Sequence, residues 1–145
     1  MKKLISGIVS IICLFSLLFY TCKSVDPEET IDPLDIQANL LNGTWKLKDA
    51  SSAIKDGNVE STFSSLQLIL YGSTKIGGNY STTNSADINV WPNTGSWQFN
   101  NEDPNKLLRS DSVLISISLT DSTLTSSFVV SGGLKAGNWV FNFNK

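Results

Sequence analysis

From Thr44 to the end of the chain, short runs in which apolar residues recur at every second position are broken by Gly, Asn, Asp and Ser, a pattern that points to β-structure. Trp139, Phe141 and Phe143 alternate with Asn138, Asn142 and Asn144. Leu124, Ser126, Phe128 and Val130 share one parity, as do Val113, Ile115, Ile117 and Leu119. Trp97 with Phe99, and Trp45 with Leu47, repeat the pattern upstream. Successive strand residues point to opposite faces, so each set lies on one face of a sheet. Turn residues separate the runs. Lys55-Asp56-Gly57-Asn58 is a hairpin turn in which Gly57 supplies the positive φ. Gly72 to Lys75, Asn100 to Asn105 (with Asp103-Pro104), Thr120 to Ser122 and Ser131 to Gly137 are further breaks. The expected fold is all-β: an antiparallel meander of about eight short strands, closed into a barrel or flattened into a sandwich. Closure removes the exposed strand edges that invite aggregation.

The first 21 residues have a different grammar. Lys2 and Lys3 precede an apolar run from Leu4 to Tyr20, the n-region and h-region of a signal peptide. That run of 17 residues is also at the short limit for a membrane span, so an uncleaved anchor stands as an alternative. A signal peptide cut elsewhere, leaving no anchor, is another. Each of these places the domain outside the cytoplasm. Residues 22–36 mix Asp26, Glu28, Glu29, Asp32 and Asp35 with Pro27 and Pro33, and read as an acidic tether with little to bury. Residues 37–145 are then the β domain, entered through a helical turn at Ile36 to Leu41.

Composition removes several functions. The chain has no histidine, which excludes Ser-His-Asp and Cys-His catalysis, the common zinc sites and a histidine pH switch. Cys13 lies in the h-region, so after cleavage Cys22 stands alone and no intramolecular disulfide forms. Without Lys2 and Lys3, nine basic residues face thirteen acidic ones, a net charge of −4 with no basic stripe. Nucleic acid is not an expected partner. Ser52-Ala53-Ile54-Lys55 matches S-x-x-K, but it runs into the Asp56-Gly57 turn and no K-T-G follows. The glycines of Gly72 to Gly78 lack a following Gly-Lys-Ser/Thr, so they turn the chain rather than cradle phosphate. Nearly all carboxylates fall in turns or in the tether. No catalytic residue, metal ligand or cofactor is expected, and the chain is read as a non-enzyme.

The aromatics carry what remains. Trp45, Trp97 and Trp139 alternate as core residues should and are expected to close the barrel interior. Trp91 sits in the polar loop Thr83 to Gly95, before Pro92 and outside any alternation. It is either an exposed contact for a sugar or a protein, since indole offers a large face at low entropy cost, or a plug over a barrel end. Tyr80 and Tyr71 are weaker contact candidates of the same kind.

Three stretches resemble known families. Thr21-Cys22, followed by the acidic segment, resembles the loose lipobox of Bacteroidetes lipoproteins. This implies cleavage before Cys22, its lipidation and retention at the outer membrane, facing the periplasm or the surface. Gly43-Thr44-Trp45 after a helical turn resembles the G-x-W signature of lipocalins, whose Trp packs across the closed end of an eight-stranded barrel. Leu41 to Leu47, Asp56-Gly57, Gly95-Ser96-Trp97 and Asn138 to Phe143 together are similar to small lipocalin-like domains of Bacteroidetes lipoproteins. The chain departs from lipocalins in that Thr120-Asp121 leads to Ser122 rather than Tyr. For the basic residue that stacks on the family's Trp it offers only Lys145. Asp111-Ser112-Val113 and Asp121-Ser122-Thr123 resemble a short O-glycosylation sequon and read equally as turns. Two functional expectations follow. One is a membrane-anchored lipoprotein whose barrel binds a small apolar or glycan ligand. The other is an accessory lipoprotein with a filled barrel that binds another envelope protein through its loops.

Overall fold

The computed structural model describes residues 31–145. The signal peptide, Cys22 and the tether through residue 30 lie outside the described residues. The described chain opens with helix α1 (Pro33–Leu41), which begins earlier than the helical turn expected at Ile36. Its start has two local causes. Asp32 caps it, Oδ1 accepting from the Leu34 N–H at 2.9 Å, and Pro33 follows at the first helical position.

Ten strands follow: β1 (Gly43–Leu47), β2 (Ala53–Lys55), β3 (Asn58–Val59), β4 (Gln67–Thr74), β5 (Gly77–Thr83), β6 (Thr94–Asn100), β7 (Asp103–Arg109), β8 (Leu114–Leu119), β9 (Thr123–Val130) and β10 (Gly137–Asn144). Strands β4 to β10 form an antiparallel meander, and β1 pairs with both β4 and β10. The β1–β10 ladder, Lys46 opposite Asn144 and Leu47 opposite Phe143, closes an eight-stranded barrel consistent with a lipocalin-like fold.

Strands β2 and β3 are a hairpin added to the same edge of β10 that β1 occupies. The interruption between β1 and β2 is local. The Lys48 N–H donates to Asn142 O, and the Asn142 N–H donates to Ser52 O, so the ladder resumes after a three-residue excursion. Within the excursion the Asp49 carboxylate accepts from Ser51 N–H, Ser51 Oγ and Ser52 Oγ at 2.9, 2.6 and 2.8 Å. Short polar side chains thus give the backbone an alternative to the ladder. The β6–β7 turn is also tighter than the expected Asn100 to Asn105. Asn101 and Glu102 alone turn the chain, both with positive φ, and Pro104 belongs to β7. It sits in a register shift between the Asn100–Asp103 and Phe99–Leu107 pairs, where a missing N–H is tolerated.

The parity read from the sequence is the parity of the core. Trp45, Trp97, Phe99, Ile115, Ile117, Leu124, Phe128, Val130, Trp139, Phe141 and Phe143 are all buried. Helix α1 packs against β4, β7 and β8 and closes one end of the barrel with Ala38 and Leu41. At that end Trp45 Nε1 donates to Leu41 O at 2.8 Å. Lys145 Nζ lies 4.8 Å from the centre of the Trp45 ring and donates to Leu40 O at 2.8 Å. Lys145 therefore occupies the stacking position that the resemblance implies. Gly43 has a φ of +140°, a backbone conformation that residues with a side chain rarely adopt, which accounts for the glycine two residues before the tryptophan.

Candidate functional site

The opposite end of the barrel carries the longer connections. These are residues 84–93 between β5 and β6, residues 110–113 between β7 and β8, and residues 131–136 between β9 and β10. The first of them folds back into the barrel. Ser85 Oγ donates to Trp91 O at 2.7 Å, and the Val90 and Trp91 N–H groups donate to Asp87 O at 3.1 and 3.0 Å. Thr82 Oγ1 donates to Pro92 O at 3.0 Å. This tight turn drives the Trp91 indole inward, where it is 3% exposed. It meets Phe128, Tyr80 and Phe141 edge-on at 5.3, 6.0 and 6.0 Å. From the other side, Phe63 in the 3₁₀ turn Ser61–Phe63 meets Trp139 at 5.2 Å and Phe141 at 5.5 Å. Trp91 and Phe63 stopper this end. The interior void that they leave is about 20 Å³, on the scale of one water molecule.

Of the two roles open to Trp91, the structure shows the plug: the indole is not available on the surface. Tyr80 is likewise buried, its ring packed so closely over Gly95 that a side chain there would lie within 2.6 Å of it. Burial raises the Tyr80 phenol above its usual pKa. Tyr71 is about half exposed on the outer wall towards the closed end, far from Trp91 along the barrel. The three contact candidates are therefore not brought together at a surface. Trp45, Trp97 and Trp139 are buried as expected.

Arg109 was not legible as a site residue. It is the only arginine in the chain, placed at the end of β7 on the same parity as Leu107, and it is 1% exposed. Its Nε and Nη2 donate to the two Asp111 oxygens at 2.8 and 2.7 Å, a bidentate pair that holds the Asp111 carboxyl below the usual range. Nη1 donates to Val90 O at 2.9 Å, so the same guanidinium pins the plug turn. Its carbon lies 5.3 Å from the Trp91 ring centre and 5.4 Å from that of Phe128, within cation–π range. The signal available in sequence was small: a lone arginine in an inward phase, with a carboxylate two residues on.

Outside the stopper the surface is open and of mixed polar and apolar character. A groove of about 1190 Å³ runs between the plug turn, the β7–β8 turn and the β9–β10 loop. Four large side chains on its border are unusually exposed: Ile88 (61%), Leu114 (44%), Val129 (57%) and Leu134 (99%). Apolar residues also run sideways from it, Val140 opposite Ile54 and Ile54 opposite Val59 on the outer face of β10, β2 and β3. Ser52-Ala53-Ile54-Lys55 spans β2 rather than opening a helix, so its serine and lysine do not make a nucleophile–base pair. Among the described residues, no three His, Cys, Asp or Glu side chains are placed to share a metal ion. No protein-family model, curated protein or solved structure matches this chain.

Proposed function

We propose that this protein is a docking module of the cell envelope, tethered through a lipidated Cys22, whose working surface is the rim at the plugged end of the barrel. The observation that carries the reading is a contrast. The interior is filled by aromatic side chains down to a void of about 20 Å³, while Ile88, Leu114, Val129 and Leu134 stand in solvent around an open groove. Large exposed apolar side chains interleaved with polar ones are what non-obligate protein-binding sites present. The accessory reading therefore fits better than a barrel holding a small apolar or glycan ligand in this conformation. Ile31 and Asp32 lie at the closed end, where Asp32 pairs with Lys75 of the β4–β5 turn. The first described residue of the domain thus lies at the end opposite the rim. A diacylated cysteine would retain the protein stably, as one chain alone does not.

Two measurements test the parts separately. A palmitate analogue fed to the host should label the wild type and leave Cys22→Ser unlabelled. Equal labelling of both would refute lipidation at that residue. A photo-crosslinking side chain at position 134 should give a discrete protein adduct in the host envelope, and one at exposed position 118 on β8 should not. Adducts at both positions, or at neither, would refute the rim as the docking surface.

A further inference from the structure

The closed end of the barrel carries exposed apolar side chains of its own, remote from the rim. Ile76 in the β4–β5 turn is 80% exposed, and Ile31, the first described residue, is 71% exposed. Ile36 on α1 and Tyr71 on β4 are each 48% exposed. One cluster of charges groups the three isoleucines. Lys75 Nζ lies 3.4 Å from Asp32 Oδ2 and 3.9 Å from Asp35 Oδ2, which joins the start of the helix to the β4–β5 turn. Ile31, Ile36 and Ile76 are the direct sequence neighbours of those three charged residues. A single exposed isoleucine needs no explanation, but three grouped around one charge cluster do.

What covers them follows from what is attached at this end. Position 31 is nine residues from Cys22, and nine residues span at most about 32 Å even when fully extended. Given the lipidation of Cys22 proposed above, on which this inference rests, Ile31 is held within that distance of a bilayer surface. The rim is farther off, since eight-residue strands tilted as in a barrel put the two ends roughly 20 Å apart. Tethering raises the local concentration of lipid at the closed end, so a surface of little affinity of its own suffices. The charges select the kind of lipid. Asp32, Asp35, Glu102 and Asp121 outnumber Lys75 and Lys145 at this end, the opposite of a site for anionic headgroups. We propose that Ile31, Ile36 and Ile76, with Tyr71 on the adjoining wall, form a contact face for the zwitterionic lipid surface that holds the tether. The mode of contact is shallow apolar insertion at the headgroup boundary. Tyrosine suits the flank, because its ring is apolar while its hydroxyl stays among the headgroups. Seated in this way, the domain turns its rim away from the bilayer and presents it to other envelope proteins.

The test uses the whole protein expressed in its host, purified from the membrane and reconstituted in phosphatidylcholine vesicles. A diazirine-bearing aliphatic side chain is placed at position 76, 36 or 134, and lipid adducts are read by mass spectrometry. Position 134 is the control, because Leu134 is equally apolar and fully exposed but belongs to the rim. Phosphatidylcholine adducts are expected at 76 and 36 at about tenfold the yield at 134. Ile76→Glu, a change at an exposed turn, should lower the yield at 36 about fivefold and leave co-flotation with the vesicles unchanged. Equal yields at 76 and 134 in protein that still floats would overturn the contact face and leave the tether standing. Loss of flotation by the unsubstituted protein would overturn the tether, and the contact face with it. A severalfold rise in yield when phosphatidylglycerol replaces part of the phosphatidylcholine would overturn the apolar mode of contact. In the host envelope, a discrete protein adduct at 76 in place of lipid would assign the face to a second copy or another protein and overturn the proposal.

Discussion

Phe141→Ala should lower stability by about 3–5 kcal/mol, and the melting temperature by roughly 12–20 °C at about 4 °C per kcal/mol. No other side chain here joins so much of the core. Phe141 is fully buried on β10, stacked with Phe128 at 5.8 Å, Trp139 at 5.6 Å and Phe143 at 6.0 Å. Phe63 and Trp91 reach it edge-on from the two stopper segments. Removing the ring therefore empties the meeting point of strand, 3₁₀ turn and plug loop, and neighbours held in a closed barrel cannot collapse fully into the gap. Domains of this size have about 5–15 kcal/mol in total, so the variant should sit near the edge of folding at 37 °C. Ser118→Ala, on the exposed face of β8, is the matched control and should change stability by less than about 0.5 kcal/mol. Urea unfolding of the two variants beside wild type makes the measurement. Equal midpoints for wild type and Phe141→Ala would mean that the aromatic stack is not the centre of the core.

The same stack shows what was legible in the sequence. Trp139, Phe141 and Phe143 announce their shared face because a two-residue period survives any error in strand boundaries, and the β8 and β9 sets do so likewise. What was hidden depended on single side chains acting outside that period. Phe63 stands alone among serines, so nothing in its neighbours marks it as a stopper. Arg109 has the inward parity, but hydropathy assigns an arginine to the surface; only Asp111, Val90 and two aromatic faces make its burial tolerable. The break between β1 and β2 comes from Asp49 gathering Ser51 and Ser52, a side-chain competition that alternation does not register. Trp91 was readable as standing outside the pattern and not as the residue that fills the barrel, since that depends on where a polar loop lands. The rim was not readable for a related reason: Leu114, Val129 and Leu134 meet through the pairing of β8 with β9, and Ile88 joins their groove only because the loop between β5 and β6 folds towards them.

Asp111→Ala should be more damaging than Arg109→Met, although the two substitutions break the same ion pair. The Asp111 side chain is 41% exposed and that of Arg109 only 1%. Without Arg109 the carboxylate turns to solvent, and the lost charge-assisted bonds amount to about 2–3 kcal/mol. Without Asp111 a guanidinium remains buried with no counter-charge, a loss of about 3–5 kcal/mol. Acid exposes the same asymmetry. The Arg109 hydrogen bonds hold the Asp111 carboxyl below its ordinary value near 3.8 in the folded protein. The folded form thus binds this proton less readily than the unfolded chain does. The pair's contribution is therefore complete above that ordinary value and disappears as the pH falls through the lower folded value. Urea midpoints measured from pH 7 to pH 2 should drop more steeply below pH 4 for wild type than for Arg109→Met. A remainder of slope should persist in the variant. Asp49, held low by Ser51 and Ser52, and Asp56, held low by the Asn138 N–H, do not depend on Arg109. Parallel acid limbs would show that the Arg109–Asp111 bond contributes nothing to holding the plug turn on the barrel. A milder loss for Asp111→Ala than for Arg109→Met would show that the guanidinium escapes to water, and that Trp91 and Phe128 do not confine it.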